Sequence, residues 1–115
     1  MPRLAGGYAR DGEPRMTVYF VANIRIHDEA EYRAYLDACD DVFARSTGTY
    51  LAVDASPTVL EGSWPYSRSV IISFPSEDDL LAWYRSPQYQ EVLRHRLAGA
   101  DCDTIVVHGT DPGAA

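Results

Sequence analysis

The run Val59–Tyr89, V-L-E-G-S-W-P-Y-S-R-S-V-I-I-S-F-P-S-E-D-D-L-L-A-W-Y-R-S-P-Q-Y, decides how the rest of the chain is read. Val59–Glu61 reads as the end of a short strand, and Trp64, Pro65 and Tyr66 as an aromatic loop. Ser69–Phe74 is an apolar run of strand length, stopped by Pro75. Ser76 with Asp79 three residues on is a helix start, and Leu80, Trp83 and Tyr84 give that helix an apolar stripe. Ser86-Pro87 then places a capping residue before a proline at the first helical position. One helix therefore ends and another begins there, with Tyr89, Val92, Leu93 and Leu97 expected inward and Gly99 as its stop.

Upstream, Thr17–Ile26 alternates with period two, the strand signature. Val18, Phe20, Ala22, Ile24 and Ile26 make an apolar face, and Thr17, Tyr19, Val21, Asn23 and Arg25 a mixed one. Asp28 with Glu31 predicts a capped helix carrying Tyr32, Tyr35, Leu36, Cys39, Val42 and Phe43 on one face, stopped by Gly48. Thr49–Val53 reads as a second strand, Pro57–Glu61 as a short third one paired with it in a hairpin, and Thr104–His108 as the last. Residues 1–15, rich in Gly, Pro and Arg, and residues 110–115 read as tails around one domain, 16–109; Met16 is a candidate start. The order β-α-β-(β)-β-α-β leaves two helical segments covering one face of a four-stranded antiparallel sheet. The other face needs cover, and the simplest cover is a second copy. If the mixed face meets the helices, the apolar face with Phe20, Ala22 and Ile24 is the one a twin would bury.

Composition narrows the function classes. A chain of 115 residues is one domain. A net charge of −7 argues against nucleic acid and against an anionic membrane surface. No apolar run approaches the roughly 20 residues of a membrane helix, and the first fifteen lack a secretory core, so a cytoplasmic protein is expected. Cys39 and Cys102 are far apart and read as free thiols. All ten basic residues are arginine, and without lysine no Schiff base can form.

Candidate chemistry is sparse. Phosphate-binding loops, dinucleotide fingerprints, nucleophile elbows and metal-spaced histidines do not occur, so neither cofactor nor metal is expected. The acidic run Asp37, Asp40, Asp41 reads as a solvated face. Asn23, the one asparagine, sits mid-strand where that residue is disfavoured; it either pairs with a neighbouring strand or orients a ligand. His108, at the end of the last strand on the face of Thr104 and Val106, is the first candidate for proton transfer. His95, between Arg94 and Arg96, is the second, although position 96 could equally turn inward; His27 reads as exposed. Arg68 opens a buried strand, where a guanidinium can hold a carboxylate or enolate; its alternative is an ion pair with Glu61. Tyr19, Trp64, Tyr66 and Trp83, with Glu61 and Ser73, are candidate substrate-enclosing residues, the aromatics serving otherwise as core or lid.

L-E-G-x-W (Leu60–Trp64), Arg68, F-P-S (Phe74–Ser76), A-W-Y-x-S-P-x-Y (Ala82–Tyr89) and V-x-G (Val107–Gly109) together resemble the family of domains of unknown function numbered 1330, over about residues 16–109. The resemblance implies a ferredoxin-like βαββαβ fold, an α+β protein of the dimeric α+β barrel superfamily, and lends no reaction. The chain departs from the family pattern at Val53–Ala55, at Ser73 and at Asn23, where the family has a basic or glycine-rich segment, an acid and a histidine. Relatives across the superfamily include cofactor-free mono-oxygenases, lactone isomerases, polyketide cyclases and haem-degrading enzymes. The last use an asparagine, a tryptophan and a histidine together, for which Asn23, Trp64 or Trp83, and His95 are the counterparts. The expectation is a homodimer with a small-molecule substrate, acting without cofactor through an enolate-like intermediate by isomerisation, cyclisation, lysis or oxygenation. His108 or His95 would move protons, with Asn23 and Arg68 steadying the oxyanion. The alternative is a ligand-binding or structural homodimer.

Overall fold

The computed structural model describes residues 16–110. The expected tails, Thr110 apart, lie outside them. Four strands and three helices follow as β1 (Val18–Ile26), α1 (Glu29–Phe43), β2 (Thr49–Asp54), β3 (Arg68–Phe74), α2 (Glu77–Tyr84), α3 (Pro87–Gly99) and β4 (Ala100–His108). The sheet is antiparallel throughout, in the order β2-β3-β1-β4, so the two apolar strands lie in the middle.

The period-two pattern of β1 chooses its faces in the opposite sense to the conditional expectation. Val18, Phe20, Ala22 and Ile24 are buried beneath the helices, and the mixed face is the open one. The apolar face has to win the helices, because among the described residues they are the only apolar surface the chain itself offers the sheet. Register carries the choice across: Phe20 pairs with Ile72 and Val106 on the helix side, while Asn23 pairs with Ser69 and Asp103 on the open side.

Pro57–Glu61 forms no strand. After Asp54 the chain runs through a long loop, and β2 pairs directly with β3, with an irregularity between Tyr50 and Ala52. Two features explain this: Pro57 cannot donate to a ladder, and Gly62 takes a positive φ of 81°. β4 starts earlier than expected, at Ala100, where it pairs with Ile26.

Each helix is started by the residue the sequence offers. The Asp28 carboxylate accepts from the Ala30 and Glu31 amides, Ser76 Oγ from Asp79, and Ser86 Oγ from Tyr89. The return arm of the capping box is missing at α1, because the Gly99 carbonyl takes the Asp28 amide and Glu31 turns to His95 instead. α1 ends at Phe43, five residues before Gly48. On α3 the inward face is Tyr89, Val92, Leu93 and Arg96. Leu97, expected inside, is exposed. At 3.6 residues per turn, 89, 92, 93 and 96 fall within about 100° of arc, and 97 lies about 40° beyond its edge.

Trp83 is the centre of the core, ringed by Phe20, Phe43, Phe74 and Tyr89 at centroid distances of 4.3–5.9 Å. Phe20 meets it edge-on at 89°, the arrangement a ring quadrupole favours.

Candidate functional site

α1 and α3 pack along each other, and α1 reaches the edge strand β2 through the Phe43 and Tyr50 rings, 4.4 Å between centroids, with a gap left beside that contact. The gap is a cavity of about 270 Å³ between α1 and the helix side of the sheet. Its inner wall holds Phe20, Ala22, Ile72 and Trp83, all buried, and its rim holds Leu36, Asp40, Tyr50 and Val53, all exposed. The long connection in place of a third strand leaves this rim uncapped.

Two arginines enter the cavity. Arg68 opens β3 opposite Ile24, on the helix side, with its guanidinium carbon 5.3 Å from the centre of the Tyr32 ring. Arg96 comes inward from α3, 2% exposed, its guanidinium carbon 5.6 Å from the centre of the Tyr35 ring. Neither meets a carboxylate within salt-bridge reach among the described residues. The Nε of each is buried without a hydrogen-bond partner among those residues, and so is Trp83 Nε1. A ring face returns about 0.5–2 kcal/mol to a cation. Leaving a buried N–H unpaired costs about 1–3 kcal/mol, more for a charged group. The cation–π contacts alone therefore do not balance these sites.

The hydroxyl and thiol groups of the wall stay protonated. Burial, then the Tyr89 hydroxyl 2.7 Å away, holds Tyr35 well above the ordinary tyrosine range. Burial pushes the Cys39 thiol up to about 11, and the adjoining Asp40 adds to it. Tyr50 moves the same way, by burial first and Cys39 second. Burial raises the Tyr32 hydroxyl, while Arg68 and then Arg96 work against it, so both positive charges bear on that one group. Burial opposes the charge on Arg96, but the surrounding Tyr89 and Tyr35 outweigh it and the guanidinium stays protonated. The cavity thus presents two cations and several protonated hydroxyls. Among the described residues its only acidic wall group is Asp40, at the rim.

Of the residues expected at the site, only Arg68 and Trp83 line this cavity. Asn23 lies on the open face, where its Oδ1 accepts from Trp64 Nε1 at 3.2 Å and Ser69 Oγ at 3.0 Å. Tyr66 donates to Asp103 at 2.7 Å and Arg25 Nε to the Pro65 carbonyl at 2.8 Å, so the aromatic loop lies over the end of β1. Tyr19 and Ser73 are paired on that same open face. His108 Nε2 sits 2.6 Å from Glu77 at the start of α2, and His95 Nδ1 3.0 Å from Glu31 on α1. Neither histidine lines the cavity. Glu61 is exposed on the loop and forms no ion pair with Arg68. The trio of Asn23, a tryptophan and His95 is not assembled: Asn23 and Trp64 meet on one side of the sheet, Trp83 lies on the other, and His95 is held at the α1–α3 contact.

The cavity residues not singled out from the sequence are Tyr32, Tyr35, Cys39, Asp40, Tyr50 and Arg96. The signal available was the α1 stripe itself, since two tyrosines and a cysteine on one apolar face put hydroxyls and a thiol where a core wants hydrocarbon.

No functionally curated protein matches the chain. Among solved structures, a protein of unknown function from Rhodopseudomonas palustris, RPA0582, superposes with a TM-score of 0.72 at 21% identity, over 85% of each chain. A dimeric ferredoxin-like protein of unknown function from Thermobifida fusca gives 0.61 at 18%, over 82% of this chain and 92% of that one. SnoaB, a cofactor-independent oxygenase from Streptomyces nogalater, gives 0.62 at 15%, over 84% and 95%. At these identities the likeness is one of fold, and it is ferredoxin-like. The family profile of the domain of unknown function DUF1330 matches residues 17–110, and the chain belongs to that family.

Proposed function

We propose that this protein binds a small organic molecule in the cavity between α1 and the sheet and promotes a cofactor-independent reaction on it through an enolate-like intermediate. The observation that carries the reading is a pair of guanidinium groups, Arg96 buried and Arg68 half-buried, that share one open-rimmed cavity, each with a buried Nε–H lacking an acceptor and with no carboxylate in salt-bridge reach among the described residues. An oxyanion developing on a bound substrate would give them the partner the chain withholds, and preorganised positive charge is what stabilises such an anion. Proton loss from the substrate needs a base, and Asp40 at the rim takes that role. His108 and His95 serve it only if the helices shift, since both are tied to glutamates elsewhere. The similarity in fold to a cofactor-independent oxygenase supports the class of chemistry without fixing the reaction.

The protein acts as a homodimer in this reading, joined through the open sheet face. Val21, Ile71, Ile105 and Val107 give that face its apolar area, and Ile105 is 58% exposed. The ferredoxin-like protein from Thermobifida fusca, similar in fold, is dimeric. Asn23 and Trp64 would then lie at the junction of two copies. There they steady the loop, and Asn23 leaves the oxyanion to the arginines.

The test is isotopic. Chelator-treated protein incubated in D2O with small enolisable ketones and keto acids is expected to wash deuterium into the carbon next to the carbonyl, and Asp40→Asn to slow this at least tenfold. Amide spectra are expected to shift at Tyr32, Tyr35 and Arg96 on ligand addition. Binding at those residues without wash-in or oxygen uptake for any member would leave a ligand-binding dimer and sink the catalytic half. Shifts nowhere in the cavity would sink both halves.

A further inference from the structure

We propose that the ligand of the cavity is an anion on arrival: the carboxylate of a single-ring aromatic acid, its charge held by Arg68 and Arg96 and its ring among the aromatic walls. This rests on the small-molecule reading above and names the class of molecule.

Charge comes first. The chain has seventeen acidic residues against ten arginines, yet sets none of its acids beside these two guanidinium groups among the described residues. Arg96 is almost wholly buried, and one of its N–H groups has no acceptor there; Arg68 leaves its own Nε–H unpaired in the same cavity. An acid-rich protein that leaves two cations without a carboxylate among the described residues holds the charge for something that enters. A carboxylate matches the guanidinium fork with two parallel hydrogen bonds, a geometry that a neutral carbonyl or a lone halide cannot meet. The wall groups agree. Tyr32, Tyr35 and Tyr50 stay protonated, so an incoming anion meets no opposing charge until the rim at Asp40.

Size and shape come second. A volume of about 270 Å³ lies just under the range of about 300–1,000 Å³ usual for small-molecule sites, so it suits a small ligand. The walls are Phe20, Tyr32, Tyr35, Phe43, Tyr50 and Trp83, which favour a flat ring over a branched aliphatic chain. Benzoate and 2-hydroxybenzoate have the right charge, size and flatness to probe the site as unreactive members of the class, since neither carries a carbon that can lose a proton to an enolate.

Calorimetric titration of the full chain with benzoate, 2-hydroxybenzoate and the neutral isostere benzamide tests this. The acids are expected to bind at least tenfold more tightly than benzamide. Arg96→Met and Arg68→Met are each expected to weaken the acids at least tenfold while leaving benzamide unchanged. Removing an uncompensated buried charge is also expected to hold or raise the Tm of Arg96→Met, where loss of a structural arginine lowers it. Equal binding of benzamide and benzoate overturns the anion assignment and leaves the small-molecule reading standing. Failure of all three to bind overturns the assignment as well, and the wash-in experiment with uncharged ketones then judges the broader reading separately. A lowered Tm with unchanged acid preference makes the arginines structural and overturns it. If Arg96→Met does not fold, Arg68→Met, at a half-buried position, decides alone.

Discussion

Asn23 shows what one amide oxygen can hold in place. Its Oδ1 is the shared acceptor for Trp64 Nε1 and Ser69 Oγ, and through Trp64 it fastens the loop to the open face of β1. Asn23→Ala strands two donors and is expected to cost about 1–2 kcal/mol in urea unfolding, with Trp64 emission shifted to the red. Asn23→Asp, which keeps an acceptor there, is expected to recover most of that loss. An unchanged urea midpoint for Asn23→Ala would show that the network does not hold the loop. Cys39 makes a second prediction at this scale. Its folded pKa, about 11, lies above the ordinary 9.0, so the folded state keeps a proton that the unfolded state releases. Its contribution to stability is complete below about pH 9 and is lost as pH rises toward 11. Tyr32, Tyr35, Tyr50 and Tyr89 are raised as well and steepen the fall above their ordinary value of 10.0. Stability measured from pH 7 to 11 is expected to be flat at first and to drop from about pH 9. Cys39→Ala is expected to make the first part of that drop shallower.

Between elements, the junction of α3 with the start of α1 leaves no spare room. The Gly99 carbonyl accepts from both the His27 and Asp28 amides. A Cβ on Gly99 would come within 2.8 Å of the Tyr32 nitrogen and 2.9 Å of the Asp28 oxygen. Both obstacles are backbone and cannot swing away. Gly99→Ala is therefore expected to destabilise by about 1–3 kcal/mol, read from urea midpoints, and to loosen the helix that carries Tyr32 and Tyr35 into the cavity. A wild-type midpoint for Gly99→Ala would show that the helices can separate at little cost. The break between α2 and α3 has a different origin: Ser86 accepts from the Tyr89 amide and donates to the Trp83 carbonyl, closing one helix and opening the next. That turn swings Arg96 onto the inner stripe.

At the scale of the whole molecule, the helices of the described residues lie on one side of the sheet. The opposite side carries Ile105 and Val107 beside Asp101 and Asp103, a surface too apolar to be left in water and too charged to be a core. Light scattering is expected to give twice the chain mass, and Ile105→Glu to give the monomer. Leu97→Glu, an equally exposed position on α3, is expected to leave the assembly intact. A wild-type monomer at micromolar concentration would remove the homodimer from the proposed function. Among the described residues no helix is long and apolar enough to cross a membrane.

The sequence alone determined the antiparallel α+β framework, the capped starts of the three helices and the split at Ser86-Pro87, because these depend on near neighbours in the chain: period-two alternation, side chains that reach amides two or three residues on, and a proline that cannot continue a helix. It also marked Arg68 as a candidate to hold a carboxylate or enolate, with an ion pair to Glu61 as the alternative, and left that choice open. Tertiary structure alone decided which face of β1 meets the helices, that residues 57–61 would not pair, and that Arg96 would join Arg68 while His95 and His108 turned to glutamates. The two arginines lie 28 positions apart on a strand and a helix, and no local pattern encodes their meeting. It follows from the register of β3 and the angle at which α3 crosses the sheet, which are set only when the whole core packs around Trp83.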